Sequence, residues 1–461
     1  MALALEQDGE AIIAAADRET ALGHPRLTGE LARTVFQLRL FAEVILDGSY
    51  LSATIDHADA DAAPTARPDL RRMLVPVGPV AVFSASNFPL AFSVAGGDTA
   101  SAIAAGNAVV VKVHSGHPLT SLLSASALRR GAVQAGFPED VVSVVFGTAA
   151  GSALVQHPLI AAASFTGSVA GGRALFDLAN SRPDPIPFFG ELGSLNAVVV
   201  TPNALRERSE EIANGLVSSF TLGVGQFCTK PGFVLVPSGD AGDRFADTVR
   251  EAASAVAPAP MLNSRIRSGW AAATDALAST AGVQSLLGGS PGDDAAVSLY
   301  SVSAADVLRA GAHSPAFEEC FGPSTLLVRY STDAELEALI DLVPGSLTAT
   351  VHAGDGADDL ADRSFARLIP RAGRVLWNQF PTGVSVAWAM QHGGPYPSTT
   401  AVSATSVGAA AILRFLRPVA YQNAPERLLP PELRDDNPTG APRRVDGRLE
   451  PPNERLPWTS S

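Results

Sequence analysis

The clearest periodic pattern near the start of the chain is an amphipathic one over residues 27–46. Apolar side chains recur there at intervals of three and four residues, the spacing of one face of an α-helix. They are Leu31, Val35, Leu38, Phe41 and Ile45. Thr28 stands just before them, where a hydroxyl can accept a hydrogen bond from the first helical turn. The pattern predicts a helix with Thr28 as its N-cap.

From residue 79 onward, short apolar runs alternate with helical patterns. Strands are predicted over residues 79–84, 108–112, 141–146 and 160–165. Helices are predicted to begin at Asn87-Phe88-Pro89 and at Ser168, and to occupy residues 119–135 and 149–157. Because strands that alternate with helices pair in parallel, the pattern indicates a doubly wound parallel sheet.

A second alternating block extends from residue 192 to about residue 402. It contains predicted strands over residues 197–200, 232–236, 325–330, 348–352 and 375–378. The polar, proline-containing residues 51–77 precede the first block and predict a loop or hairpin. The last 40 residues contain many prolines and predict an extended or partly disordered arm.

Composition narrows the class of protein. The chain has 461 residues, 46% of them hydrophobic and 17% charged, which favours a globular protein of two or three domains. The formal net charge of −13 argues against nucleic acid and anionic membranes as partners, since both attract basic surfaces. The longest apolar candidate, residues 88–111, is interrupted by Asp98 and Asn107, so no membrane span is predicted. Two cysteines and no export signal predict a cytoplasmic location.

Cys228 is the first candidate for chemistry. It stands in the segment GQFCT, residues 225–229, where small neighbours let a substrate carbonyl approach the thiol. The alternative is a buried structural thiol, because free cysteine packs like a small apolar residue. Glu191, in the segment GELG, is the candidate base, since low solvation raises the pKa of a carboxyl group. Its alternative is a solvated turn carboxylate.

Three further positions have the composition of ligand-binding turns. The segment FTGS, residues 165–168, joins a strand to a helix, and the backbone at Gly167 and Ser168 suits a phosphate group. Lys112 ends an apolar strand, where parallel sheets bind ligands, and could hold ribose hydroxyls or phosphate. The side-chain amide of Asn87 could donate to an oxyanion. An ordinary turn, a solvated strand end and a helix cap are the respective alternatives.

The segment EECFGP, residues 318–323, places two acids before a predicted strand. Glu319 could accept hydrogen bonds from sugar hydroxyls, and Phe321 could pack on a flat ring. A solvated loop is the alternative for the acids, and Cys320 is predicted to lie in the core. His392, in a glycine-rich loop, is the candidate base of a cysteine hydrolase.

Taken in order along the chain, these motifs resemble those of the aldehyde dehydrogenase superfamily, from about Glu19 to Glu450. The Asn-Phe-Pro motif contains Asn87, the Glu-Leu-Gly motif contains Glu191, and the Gly-Gln-x-Cys motif contains Cys228. Longer segments, among them residues 86–100 and 392–397, resemble the 2,5-dioxovalerate (α-ketoglutarate semialdehyde) dehydrogenases.

The resemblance implies NAD(P)-dependent oxidation of a small aldehyde, first of all α-ketoglutarate semialdehyde, to its carboxylic acid. Cys228 would form a thiohemiacetal and then a thioester, Asn87 would stabilise the oxyanion, and Glu191 would activate water. The cofactor-binding residues that it implies are Lys112, Ser115, Gly147, Gly167, Ser168, Glu319 and Phe321. It implies no metal, and it implies a homodimer or homotetramer.

Two details of the resemblance concern specificity. NAD-selective relatives often carry a glutamate where this chain has Ser115, so we expect NADP to be accepted. His114 and His117 lie nearby in the sequence. Lys230, two residues after Cys228, is the candidate partner for a substrate carboxylate.

The implied fold is α/β, with a Rossmann-type cofactor domain, an α/β catalytic domain and a small oligomerisation extension. The expected bounds are 1–50 and 79–191 for the NAD(P)-binding domain, 192–402 for the catalytic domain, and 51–78 with 403–461 for the hairpin and arm. Relatives carry a longer N-terminal helical leader, so we expect a shortened cofactor domain. A cysteine hydrolase and a non-catalytic scaffold of the same fold stay open from the sequence alone.

Overall fold

The structure is a computed structural model that describes residues 1–288 and 294–451. The helices within these residues are α1 (Ala2–Gln7), α2 (Gly9–Thr20), α3 (His24–Asp47), α4 (Gly97–Ala104), α5 (Pro118–Gln134), α6 (Thr148–Gln156), α7 (Val169–Asn180), α8 (Pro202–Thr221), α9 (Asp240–Ser254), α10 (Ser264–Ala278), α11 (Ala304–Ala310), α12 (Asp333–Leu342) and α13 (Asp359–Leu368). The predicted amphipathic helix is α3, and α1 and α2 precede it.

The strands of the same residues form three sheets. They are β1 (Ala53–Asp56), β2 (Leu70–Pro76), β3 (Val80–Phe83), β4 (Val109–Lys112), β5 (Val142–Val145), β6 (Ala162–Thr166), β7 (Phe188–Glu191), β8 (Ala197–Val200), β9 (Phe233–Pro237), β10 (Gln284–Leu287), β11 (Ser298–Ser303), β12 (Ser324–Tyr330), β13 (Ser346–His352), β14 (Ala372–Trp377), β15 (Leu416–Gln422), β16 (Arg443–Val445) and β17 (Arg448–Glu450). The predicted α/β class is confirmed.

The first sheet is parallel throughout and has the strand order β5-β4-β3-β6-β7. Its central strand β3 is buried along its whole length, which explains the unbroken apolar run that predicted it. The chain proceeds from β3 to β4 and β5 on one side, then returns to β6 and β7 on the other. The loops that follow β3 and β6 therefore diverge at the carboxyl edge, where doubly wound sheets bind ligands.

The second sheet has the order β10-β11-β12-β9-β8-β13-β14, and only the edge strand β10 is antiparallel to its neighbour. The five strands predicted in the second block are confirmed as β8, β9, β12, β13 and β14. Because β9 and β12 pair directly, the segments that precede them lie side by side. Cys228 belongs to one of these segments and Glu319 to the other.

The third sheet joins distant parts of the chain in the order β15-β2-β1-β16-β17. Residues 51–77 contribute the antiparallel hairpin β1 and β2, which confirms the prediction for that segment. The C-terminal arm adds β15 beside β2 and β16 beside β1. The predicted arm is thus extended as far as Glu450, and its residues 452–461 lie outside the described residues.

Two predicted helix starts are wrong. Asn87-Phe88-Pro89 does not open a helix, because the first helix after β3 is α4, with Gly96 before it. The N–H groups of Leu90 and Ala91 instead donate to the buried carboxylate of Glu30, at 2.8 and 3.0 Å. Thr28 is not an N-cap either, because α3 already begins at His24.

Arg71 of β2 connects the hairpin to the C-terminal arm. Its buried guanidinium pairs with Asp69 and Asp435 at 2.9 and 2.6 Å and donates to the carbonyl of Leu433 at 2.7 Å. Hydrogen bonds of charged groups are stronger than neutral ones and are costly to lose when buried. Arg71 is therefore a buried, charged link between the third sheet and residues 433–435, which Arg443 and His57 also contact.

We expect Arg71→Met to lower the local opening free energy of this sheet by about 1–3 kcal/mol, because buried polar partners lose their donors. Hydrogen exchange of peptides that cover β2 and β16 measures the effect. Arg72→Met is the matched control, since Arg72 is the next residue of the same strand and is exposed. Equal acceleration of exchange in both variants would contradict the assignment.

Candidate active site

The candidate site lies where the carboxyl edge of the first sheet meets the segments that precede β9 and β12. Glu191 is the last residue of β7. A Cβ atom built on the nearby Gly193 would lie 2.6 Å from Oε2 of Glu319, so the two sheets approach each other closely at this point. Cys228 lies opposite Glu191, in the segment before β9.

Three side chains from separate segments meet at the thiol. Sγ of Cys228 lies 3.5 Å from Nε2 of His392, and the same nitrogen lies 3.0 Å from Oε1 of Glu191. The hydroxyl of Ser406 donates to the other carboxylate oxygen of Glu191. Glu191 and His392 are buried, whereas Cys228 is partly exposed. Glu191 is therefore not a solvated turn carboxylate, and Cys228 is not sealed in an apolar core.

The surroundings shift the pKa values of Cys228 and Glu191 in opposite directions. Burial raises the pKa of the Cys228 thiol well above its usual value, and the carboxylates of Glu191 and Glu319 add to the increase. Burial alone would also raise the pKa of Glu191, as the sequence suggested. His392 and the Ser406 hydroxyl outweigh burial, however, and the pKa of Glu191 lies below its usual value. At neutral pH the thiol is protonated and the carboxylate is ionised.

Gly225 gives the cysteine segment its shape. Its φ of 65° lies in the left-handed region, and a Cβ atom there would overlap the carbonyl of Gly322. Only glycine allows the two segments before β9 and β12 to pack so closely. The predicted need for small residues around Cys228 therefore has a packing cause as well.

Asn87 points toward the cysteine segment. Its side-chain Nδ2 donates to the backbone carbonyl of Gln226 at 2.9 Å, and its own carbonyl accepts from Arg26 at 2.7 Å. Asn87 is buried and caps no helix. The amide is thus held against the carbonyl of Gln226, two residues before Cys228 in the sequence.

Lys112 lies half-buried at the end of β4, with its aliphatic stem against α6. A Cβ atom on Gly151 would lie 3.2 Å from Cγ of Lys112, so the small residue leaves room for the lysine. Burial lowers the pKa of Lys112, and the charge of Arg265 lowers it further. Arg265, at the start of α10, therefore brings a second cation to this edge of the first sheet.

The histidines near Ser115 do not add positive charge at neutral pH. Burial, with help from His117 and Lys112, lowers the pKa of His114 to about 4. The buried His117 is held by the carbonyl of Ala85 at 2.8 Å. Ser115 itself is exposed. A 2′-phosphate near Ser115 would meet no carboxylate at that position and two neutral imidazoles.

The predicted phosphate-binding turns lie at the starts of α6 and α7. Gly147 precedes α6 with a φ of 89°, and it is exposed. Ser168 caps α7, where its Oγ accepts from the N–H of Gly171 at 3.3 Å. The N–H of Gly167 is already used, since it donates to the carbonyl of Glu191 at 3.0 Å. Both helix starts still present backbone donors at the edge where a pyrophosphate would be stabilised.

Glu319 is partly buried rather than solvated. Burial raises its pKa to about 7, although Lys230 and the backbone of Ser194 counteract the increase. Phe321 is half-buried, and Cys320 is buried as predicted. A carboxyl group that titrates near neutrality lies within reach of both the thiol and the first sheet.

Lys230 does not point toward a substrate. Its side chain is fully buried, and Nζ donates to the carbonyl of Ser324 at 2.7 Å. Burial lowers its pKa, while Cys320 and Glu319 raise it. The prediction that Lys230 binds a substrate carboxylate is therefore wrong, because the ammonium is occupied beneath β12.

One set of side chains in the described residues has the spacing of a metal site. Ligand atoms of Glu191, Cys228 and His392 all lie within 4.8 Å of one another. The distances between them are also those of the hydrogen bonds already given. The expectation that the site works without a metal stays a prediction.

Comparison with known proteins identifies the architecture. The sequence profile of the aldehyde dehydrogenase family matches residues 1–417. The chain belongs to the aldehyde dehydrogenase family. The predicted family, fold class, enzyme class and NAD(P) cofactor are thereby confirmed.

Two curated relatives resemble nearly the whole chain. The α-ketoglutaric semialdehyde dehydrogenase 2 of Azospirillum brasilense is 47% identical over 96% of this chain and 85% of its own length. The α-ketoglutaric semialdehyde dehydrogenase of Acinetobacter baylyi is 44% identical over 97% of this chain and 86% of its own length. The structure of NADP-dependent glyceraldehyde-3-phosphate dehydrogenase from Bacillus halodurans, complexed with NADP, superimposes with a TM-score of 0.75. That protein is 23% identical, over 92% of this chain and 85% of its own.

Within the described residues, no helix is long and apolar enough to cross a membrane. Members of the aldehyde dehydrogenase family act on an aldehyde with NAD(P) as cofactor. The expectation that the partners are an aldehyde and NAD(P) is therefore confirmed.

Two arginines near the thiol were not predicted. Arg33 of α3 lies 5.2 Å above the ring of Phe92, and its buried Nη1 has no hydrogen-bond partner among the described residues. The buried Nε of Arg374, in β14, likewise has no hydrogen-bond partner among the described residues. Burial lowers the pKa of both arginines. The decrease is counteracted by Glu30 and then the Cys228 sulfur for Arg33, and by the Cys228 sulfur for Arg374. Neither arginine belongs to a recognisable motif, so the sequence contained no signal for them.

We expect Glu319→Gln to raise the thermal unfolding midpoint at pH 8 and to change it little at pH 5. The folded-state pKa of about 7 exceeds the usual 4.5, so ionisation destabilises the fold increasingly as pH rises between those values. Above pH 7 the substitution should therefore increase the free energy of unfolding by about 1–3 kcal/mol, which raises the unfolding midpoint by a few degrees. Glu318→Gln is the control, since Glu318 is exposed. An equal gain at both pH values would show that Glu319 is not buried as an acid.

Proposed function

We propose that the chain oxidises a small aldehyde that carries a carboxylate, with α-ketoglutarate semialdehyde as the first candidate. The observation that carries the chemistry is that a partly exposed thiol and a buried carboxylate lie within 4.8 Å of each other at the ligand-binding edge of a doubly wound sheet. The names of the two curated relatives support the choice of substrate.

In this reaction Cys228 attacks the aldehyde carbon and forms a thiohemiacetal. The amide of Asn87 and the backbone N–H of Cys228 stabilise the oxyanion. A bound NAD(P)⁺ would supply the acceptor for the hydride. Glu191 then activates water to hydrolyse the thioester on Cys228 and release the acid. The low pKa of Glu191 keeps its carboxylate ionised and ready to accept a proton.

The donor set at the edge of the first sheet fits a dinucleotide. Lys112 and Glu319 would hold the riboses, the helix starts at Gly147 and at Gly167-Ser168 would receive the pyrophosphate, and Phe321 would pack on a flat ring of the cofactor. Ser115 presents no carboxylate to a 2′-phosphate, so we propose that NADP serves as well as NAD. Accordingly, residues 1–50 and 79–191 would form the NAD(P)-binding domain, 192–402 the catalytic domain, and 51–78 with 403–461 the extension.

The extension would assemble the protein into a homodimer or homotetramer. The third sheet ends in the short strand β17, where Leu449 is 69% exposed. An unpaired edge with an exposed apolar side chain is suited to pairing with another copy of the chain. Both cysteines are free thiols, which supports a cytoplasmic location.

Arg33 and Arg374 replace Lys230 as the proposed partners of the substrate carboxylate. Each guanidinium has an unused N–H donor in a partly buried position. A buried donor without a partner is costly, and a carboxylate is the group that guanidinium donors bind best. Phe92, below Arg33, packs edge to face with Phe88, which packs in the same way on Phe227, and these rings would line the path of the aliphatic chain.

Replacement of Cys228 by Ala should lower kcat/KM on the order of a thousandfold or more, because the nucleophile is lost. Absorbance of the reduced nicotinamide measures turnover. Cys320→Ala is the matched control, since it removes the other thiol, which lies buried beneath β12. Comparable activity of the two variants would rule out Cys228 as the nucleophile.

Arg33→Met should raise KM for α-ketoglutarate semialdehyde about 10- to 100-fold, the value of a lost charged hydrogen bond. KM for pentanal, which has a similar length and no charge, should change little. Arg39→Met on the same helix is the control, because Arg39 is exposed and pairs with Glu6 at 2.8 Å. Parallel changes for both aldehydes would remove Arg33 from carboxylate binding.

A further inference from the structure

His392 contacts both Cys228 and Glu191, yet the mechanism described above gives it no role. Its side chain is completely buried, and one nitrogen, Nε2, faces Sγ of Cys228 and Oε1 of Glu191. The other nitrogen, Nδ1, is buried without a hydrogen-bond partner in the described residues. The imidazole therefore interacts with Cys228 and Glu191 through Nε2 alone among its ring nitrogens.

The backbone holds the ring in place. The N–H of His392 donates to Oγ1 of Thr405 at 2.8 Å, and its carbonyl accepts from the N–H of Ser406 at 2.8 Å. A Cβ atom on the following Gly393 would lie 2.5 Å from the carbonyl oxygen of Ala404. The glycine lets the two segments of this loop pack against each other, so the ring has little freedom to turn away.

The tautomer follows from the partners. Nε2 faces a carboxylate at 3.0 Å, which requires a hydrogen there, whereas an unpartnered Nδ1 is less costly as a bare acceptor than as a donor. Nε2 therefore carries a hydrogen. This N–H lies between the thiol and the carboxylate, and either of these two groups can bear the negative charge.

We propose that His392 is a catalytic residue whose Nε2–H stabilises the thiolate of Cys228 when the thiol proton moves to Glu191. In this step the S–H bond of Cys228 breaks and an O–H bond forms on Glu191, so the total charge is unchanged. The N–H of His392 then donates to sulfur instead of to the neutral carboxyl group. The proton must leave Glu191 before that carboxylate activates water. This inference rests on the proposed nucleophilic role of Cys228.

Other charges also face the thiol and contribute to its titration. Burial and two carboxylates oppose ionisation, and arginines favour it; the groups are Glu191, Glu319, Arg33 and Arg374. Among these groups Glu191 contacts His392, which lowers its pKa, so replacing the imidazole also changes this carboxylate. The comparison between a variant that retains a side-chain N–H and one that lacks it therefore reports on the N–H group.

The test measures alkylation of Cys228 by iodoacetamide between pH 6 and 10, by mass spectrometry of the Cys228 peptide. No substrate or cofactor is present, and a chelator removes metal from the Glu191, Cys228 and His392 group. We expect His392→Phe to slow alkylation at pH 7 about tenfold or more and to move its pH midpoint upward. His392→Gln, which retains a side-chain N–H, should restore most of the wild-type profile. Should Phe prevent folding, His392→Met gives the same comparison.

Two results would overturn the inference. An unchanged alkylation profile in His392→Phe would show that the N–H does not reach the thiolate. If Cys228 is alkylated no faster in His392→Gln than in His392→Phe, a base rather than a hydrogen-bond donor is needed at this position. Both outcomes are independent of the dehydrogenase assignment, which depends on the turnover of Cys228→Ala.

Discussion

Removal of water from the Cys228 thiol, in the presence of two carboxylates, is the constraint on which the rest of the site depends. Glu191 and Glu319 both oppose ionisation of the sulfur. The same burial that makes a thiolate reactive also makes it costly to form. The site must therefore provide hydrogen-bond donors and positive charge at fixed positions. His392, Asn87 and Arg33 meet this need from three different parts of the chain.

Glycines make these approaches possible. Gly225 lets the cysteine segment pack against Gly322, and Gly193 makes room for the carboxylate of Glu319. A Cβ atom on Gly172 of α7 would overlap Leu192, so this helix also lies directly against the end of β7. A side chain at Gly193 would push the end of the first sheet away from the segment before β12. One at Gly225 would separate the segments before β9 and β12, and one at Gly172 would move α7 away from the end of β7. The distance between the thiol and its carboxylates is thus set by backbone packing more than by side-chain rotamers.

Much of this arrangement could be predicted from the sequence. The apolar runs predicted β3, β4, β8 and β9, because strands buried on both faces need apolar residues at successive positions. The order of the motifs along the chain also predicted the family. The predictions that failed concern local structure. Asn87 and Pro89 have the residue types of a helix start, yet Glu30 from α3 binds the backbone N–H groups and holds the segment in turns.

Side-chain direction and electrostatic balance could not be predicted in the same way. The position of Lys230 beside Cys228 suggested a substrate contact, but the chain turns its ammonium toward Ser324. Low solvation suggested a raised pKa for Glu191, but His392, 201 residues away in the sequence, outweighs burial. His392 was recognised as a possible partner of the thiol, although only for a hydrolase. Long-range contacts of this kind leave no periodic or local signal.

The proposed substrate adds one further charge to this balance. In the free protein Arg33 interacts favourably with the carboxylates of Glu30 and Glu191, and its charge also favours ionisation of the Cys228 thiol. A substrate carboxylate that pairs with Arg33 reduces the positive potential that the arginine exerts on the sulfur. The thiolate then depends more strongly on short-range donors, and the N–H of His392 lies at hydrogen-bond distance whether or not Arg33 is neutralised. A charged substrate and a thiolate nucleophile can therefore share one pocket because different groups stabilise them.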